Sequence, residues 1–103
     1  MSEFDVLLEK LQAIKSQGWW EDVIPVDIWE EYFNDLVVVA SGLDVATHRW
    51  YETSTTVIKI LGRFIGINGV SNVFSENMGF EDCGVDINFF EMEEIASVTY
   101  KAK

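Results

Sequence analysis

The chain has 103 residues, nearly half of them apolar, with four Trp, seven Phe and three Tyr and a formal charge of −11. That length gives a single domain, residues 1–103, large enough for one core without metals or disulfides. The apolar share excludes intrinsic disorder, and the charge excludes non-specific attraction to nucleic acid or anionic lipid.

Phe4, Leu7, Leu8, Leu11 and Ile14 recur at helical spacing, with Ser2 and Asp5 resembling a capping box. Acidic residues lie early and Lys10 and Lys15 late, and Gly18 is a natural stop, so a helix is expected over 3–17. The adjacent Trp19 and Trp20 cannot both point the same way; one is expected to bury and the other to cover an edge. Pro25 admits a second helix, and Asp27 with Glu30 repeats the capping-box spacing. Ile28, Trp29, Tyr32, Phe33 and Leu36 give its apolar stripe, over about 26–36. The short run 36–40 reads equally as a helix end or a buried strand. Ser41, Gly42 and Asp44 mark a turn.

The stretch 48–75 is the longest region rich in β-branched and aromatic residues, and it reads as the hairpin that organises the fold, with strands near 48–60 and 63–74. A two-residue Leu61-Gly62 loop would force Leu61 to positive φ, so a three-residue loop with Gly62 left-handed is expected. That register places Tyr51, Val57, Ile65, Ile67 and Val73 on one face. The β pattern continues through Asn68-Gly69, which suggests a bulge there rather than a turn. Residues 75–84 read as loop. Val85, Ile87 and Phe89 alternate with polar neighbours as a half-buried strand does, and the break at Phe89-Phe90 suggests a bulge or strong twist. Ile95, Val98 and Tyr100 continue that strand or make a further one. The expected fold class is α+β: two N-terminal helices packed on one face of a three- to four-stranded antiparallel sheet, in the order ααβββ.

Catalytic and ligand chemistry finds little support. His48, the sole histidine, would share a face with Asp44 and Glu52 only in a helix, which the strand pattern contradicts. Cys83 with Asp82 and Asp86 lacks zinc spacing, and the segment around it lacks the placement of a calcium loop. Gly62, Gly66 and Gly69 sit within strand pattern instead of opening a helix, so no phosphate cradle is expected. No enzyme, cofactor or metal site is predicted. With a single cysteine, no basic leader at MSEFDVLLEK and no apolar run near the roughly 20 residues needed to span a bilayer, a cytoplasmic protein without a membrane partner is expected.

The charge layout is more informative. Between Lys15 and Arg49 no Lys or Arg offsets Glu21, Asp22, Asp27, Glu30, Glu31, Asp35 and Asp44. Between Arg63 and Lys101 none offsets Glu76, Glu81, Asp82, Asp86, Glu91, Glu93 and Glu94. Soluble domains ordinarily intersperse both signs, whereas uncompensated carboxylates lower stability and suit a Lys- and Arg-lined partner. Two contact sets are predicted: Glu21, Asp22, Glu30, Glu31 and Asp35 around the second helix, and Glu81, Asp82, Glu91, Glu93 and Glu94 near the C-terminus.

In size, charge and α+β make-up the chain resembles the small acidic inhibitors that phages use against host defence, among them anti-CRISPR proteins, anti-restriction proteins and uracil-glycosylase inhibitors. The resemblance rests on composition and on no motif, so it carries over no residue roles. It implies a protein partner, a nuclease or nucleic-acid-binding complex, no direct contact with nucleic acid, and no chemistry of the chain's own. The alternatives are a phage structural or assembly protein acting through homo-oligomerisation, and an immunity protein or antitoxin against a nuclease toxin.

Overall fold

The N-terminal stripe forms a helix as its spacing predicts. In the computed structural model, which describes residues 2–95 and 99–102 and leaves aside the side chains of 81, 94, 95 and 99–101, helix α1 spans Glu3–Gln12. Ser2 caps it, its hydroxyl accepting from the Asp5 N–H at 3.2 Å and donating to the Asp5 carboxylate at 3.0 Å. The helix stops five residues short of the expected 17 because the chain beyond it pairs elsewhere. Ile87 N–H donates to Ser16 O at 2.9 Å, and Gln17 bridges Asp86. A helix through 17 would forfeit both.

The second helix is broken into pieces. A one-turn helix α2, Trp20–Val23, precedes Pro25; α3 is Val26–Glu31, and a 3₁₀ turn follows over Phe33–Asp35. Tyr32, at φ −125°, separates the last two, so the continuous helix over 26–36 does not form. Nor does the Asp27 capping box, since Pro25 occupies the N-cap and makes no side-chain bond. The Trp pair divides into a buried member, as predicted, and a half-buried one that packs on the core cluster. Trp20 is buried and stacks on Trp29 at 6.1 Å, while half-buried Trp19 faces Phe80 at 6.2 Å.

Residues 36–40, ambiguous in the sequence, open a strand: β1, Val37–Thr47. The turn expected at Ser41–Asp44 is absorbed into it as irregularities, with Gly42 at φ 68°, Asp44 at φ 49° and three register shifts against the next strand. β1 is an edge strand, and such bulges blunt the pairing tendency of an exposed edge. The hairpin follows as β2, Tyr51–Ile60, and β3, Arg63–Val73.

Ile60 pairs directly with Arg63, so the loop has two residues, not three, with Leu61 at φ 52° and Gly62 at φ 76°. Two left-handed residues make the primed turn whose twist matches the strands. The strain at Leu61 is tolerated because this register sets Ile58 opposite Ile65, both fully buried under the helices. A one-residue slip would turn every one of these side chains to the other face. Val57 therefore lies opposite Gly66, on the face away from Ile65 and Ile67, contrary to the expected grouping. Substituting Leu61→Asn should raise stability by about 1 kcal/mol, since Asn accepts positive φ where Leu resists it; a higher urea midpoint with unchanged slope is the expected result, and no gain would mean the turn is not primed.

The β pattern runs through Asn68-Gly69 as expected, and the bulge falls slightly later, where β2 steps from Thr53 opposite Val70 to Glu52 opposite Asn72. A 3₁₀ turn, Phe80–Cys83, interrupts the predicted loop. The last strands are β4, Asn88–Ile95, and β5, Thr99–Ala102. Phe89-Phe90 carries no bulge: Ile67 pairs with Phe89 and Gly66 with Phe90 in unbroken register. Alternation fails there because both faces are apolar. Phe89 enters the core under the helices, while Phe90 and Met92 lie over Gly66, where an added Cβ would sit 2.6 Å from the Phe90 ring and 2.5 Å from Met92 Sδ. The possible continuation through Val98 falls partly outside the described residues.

The result is α+β with the helical segments on one face of an antiparallel meander, β1-β2-β3-β4-β5. Its five strands among the described residues exceed the expected three to four because Val37–Thr47 contributes one. Phe4, Leu7 and Leu11 of α1, Trp20, Ile24, Ile28 and Phe33 close over Ile58, Ile60, Ile65, Ile67 and Phe89. Among the described residues no helix is long and apolar enough to cross a membrane.

Candidate functional site

The residues of the first predicted acidic set are carried by the short helical segments and face solvent. Glu21 and Asp22 lie on α2, Glu30 and Glu31 on α3, and Asp35 on the 3₁₀ turn, all exposed. Burial of Trp20, Ile28 and Phe33 on the inner side orients them: with those three fixed against the sheet, the intervening carboxylates must face water. Asp27 joins the same exposed surface. Among the described residues only Glu31 of these six has a cation within 4 Å, Lys10 at 4.0 Å, whose Nζ also lies 5.6 Å from the centre of the Tyr32 ring. Both partners of that ion pair are largely exposed, so it contributes little stability. Burial and the adjoining Glu31 carboxylate hold the Tyr32 phenol above its usual range.

The second set does not form one patch. Asp82 accepts a 2.8 Å hydrogen bond from the Gly79 N–H and caps its 3₁₀ turn. Glu91 is mostly buried beside α1, where Arg63 Nε donates to it at 2.9 Å. The same guanidinium lies 3.6 Å from Asp5 and 4.2 Å over the Phe4 ring. Arg63 thus clamps β3, β4 and α1 together, a role with no mark in the sequence beyond a basic residue after a turn. Glu93 is half-buried and stands opposite Lys101 in the β4–β5 register. The side chains of Glu81 and Glu94 lie outside those described.

The His48, Asp44 and Glu52 grouping is not assembled. His48 stacks on Tyr51 with ring centroids 4.5 Å apart, and Glu52 accepts from Thr47 Oγ1 at 3.5 Å. The β1–β2 connection instead makes a cationic aromatic tip that the strand reading passed over: Arg49 lies 4.8 Å over Trp50, and the Phe74 N–H donates to Trp50 O. Trp50 and Phe74 are each 49% exposed. The run HRWY at a strand junction was the available signal.

Cavities are modest. An open groove of about 520 Å³ runs past Ser16, Gln17, Trp19, Asp22 and Phe80, and a smaller one of about 250 Å³ past Gln12, Lys15 and Phe89. Among the described residues no three His, Cys, Asp or Glu side chains gather to hold a metal. What the arrangement offers chemically is a set of exposed carboxylates on helical segments braced by aromatic rings. Comparison with known proteins finds no family model, no curated protein and no solved structure that matches this chain.

Proposed function

We propose that this chain is a small acidic inhibitor of phage anti-defence or anti-CRISPR type, which binds the basic surface of a nucleic-acid-handling protein in the cytoplasm and blocks it. The observation that carries the proposal is the row Glu21, Asp22, Glu30 and Asp35, four exposed carboxylates without a cation within 4 Å among the described residues. Their mutual repulsion opposes folding, and a Lys- and Arg-lined groove would relieve it. Carboxylates spread along a rigid layer occupy such a groove much as phosphates do, displacing the counterions of the partner's basic side chains.

The contact surface is assigned to the helical set. In the C-terminal set Glu91 and Asp82 already serve internal bonds. The test compares wild type with a Glu21→Lys, Asp22→Lys, Glu30→Lys, Asp35→Lys variant as bait in bacterial lysate at low and high salt. Wild type should capture basic, nucleic-acid-binding proteins at low salt and release them at high salt. The reversal should weaken capture on the order of a hundredfold, since like charges would then face each other across the interface. Equal capture by both baits would end the proposal.

A further inference from the structure

We infer that the open groove beside Trp19 is a cation site, and that its occupant is an arginine side chain of the basic partner. Two stretches far apart in the chain build it, 16–23 and the 3₁₀ turn that carries Phe80. The first is held in place by Ile87 N–H, which donates to Ser16 O at 2.9 Å, and by Gln17, whose Nε2 donates to Asp86 Oδ1 at 3.3 Å. Gly18, at φ 126°, then turns the chain into Trp19. The Trp19 ring packs on the core cluster and meets the Phe80 ring at 6.2 Å and a tilt of 44°, so the groove has a firm aromatic wall. Asp22, on α2, lines the same groove and is exposed.

The lining selects the occupant. Aromatic faces attract cations, the indole most strongly. Asp22 has no cation within 4 Å among the described residues, and no Lys or Arg lines the groove. With its Nε2 committed to Asp86, Gln17 keeps its Oε1 as a further acceptor. An anion would be repelled here. A guanidinium is planar and weakly hydrated, so it can stack on a ring while its N–H groups donate to carboxylate and amide oxygens. The lysine ammonium, compact and strongly hydrated, exploits such a wall less well. The smaller groove past Gln12 and Phe89 fails the same requirements, since Lys15 lines it and Phe89 is buried. The inference rests on the proposed basic partner for its occupant, and names the side chain by which that partner would be anchored.

An NMR titration of the isotope-labelled full chain with Nα-acetyl-arginine amide, at constant ionic strength, tests this without the partner. The chain has four Trp, and the indole N–H signal of Trp19 is identified by its loss in Trp19→Phe. That signal should shift saturably, with a dissociation constant in the millimolar range, and Nα-acetyl-lysine amide should bind at least about threefold more weakly. Asp22→Asn, an exposed change that spares the core, should weaken arginine binding about fivefold. Glu30→Gln removes the same charge outside the groove and should change it by less than about twofold. No saturable shift at Trp19 overturns the inference, as does an equal loss from Asp22→Asn and Glu30→Gln. Arginine binding at Trp19 without salt-sensitive capture from lysate would remove the proposed function and leave the guanidinium site standing. Capture as expected with an unmoved Trp19 signal would remove the groove alone.

Discussion

Replacing Ile65 with Ala should lower the stability of the domain by about 3–4 kcal/mol. Ile65 is fully buried on the central strand, paired with Ile58 on one side and Glu91 on the other, in the cluster that seats α1 on the sheet. The substitution removes three carbons from contact and leaves a cavity. Ladder bonds to both neighbouring strands prevent the backbone from collapsing into it. Against a total of roughly 5–15 kcal/mol for a domain, the loss is a large fraction. Urea denaturation should show a lower midpoint at unchanged slope, with Tm down by roughly 15–25 °C. Val45→Ala, on the exposed part of the β1 edge, should stay within about 0.5 kcal/mol. A loss below about 1 kcal/mol at Ile65 would contradict the seating of the helical layer.

Glu91→Lys should cost about 2–3 kcal/mol at neutral pH, because it sets an ammonium against the guanidinium of Arg63 in a mostly buried site. Glu30→Lys, fully solvated, should cost no more than about 0.5 kcal/mol. The contrast separates a carboxylate that holds the fold from one free to meet a partner. The Arg63 clamp also gives the pH dependence a sign. The Ser2 hydroxyl holds the Asp5 carboxyl below its usual range, helped by the hydrogen bond at the helix start and by Arg63. A depressed folded value means that Asp5 contributes fully above its unfolded pKa of about 3.9 and loses that contribution as pH falls through the lower folded value. Replacing Asp5 with Asn should therefore cost most near neutrality, and that cost should narrow on acidification as the wild-type carboxyl takes up its proton. Thermal melts of wild type and Asp5→Asn from pH 7 to pH 3 would show it, and a cost that grew as the pH fell would refute this role for Asp5.

Local patterns determined much of this protein. The heptad-like spacing of Phe4, Leu7 and Leu11 specified an amphipathic helix, and the β-branched run after residue 50 specified strands, since both signals reside in side-chain periodicity. The exposure of Glu21, Asp22, Glu30, Glu31 and Asp35 was equally legible, because burying the aromatic stripe between them leaves the carboxylates nowhere else to go. Tertiary pairing decided the rest. The 13–17 segment left its helix to bond with Asp86 and Ile87, and Leu61 accepted a strained φ so that Ile58 could face Ile65. Phe89 and Phe90 divided between the two sheet faces without a bulge because each face had its own apolar neighbours. The two halves of the acidic inventory parted in the same way. Glu91 and Asp82 look like Glu30 in a one-dimensional charge count, but a cation from β3 and an amide three residues upstream bind them into the fold. Whether a carboxylate is structural or available depends on what lies within about 4 Å of it, and distance across strands is what a linear sequence does not contain.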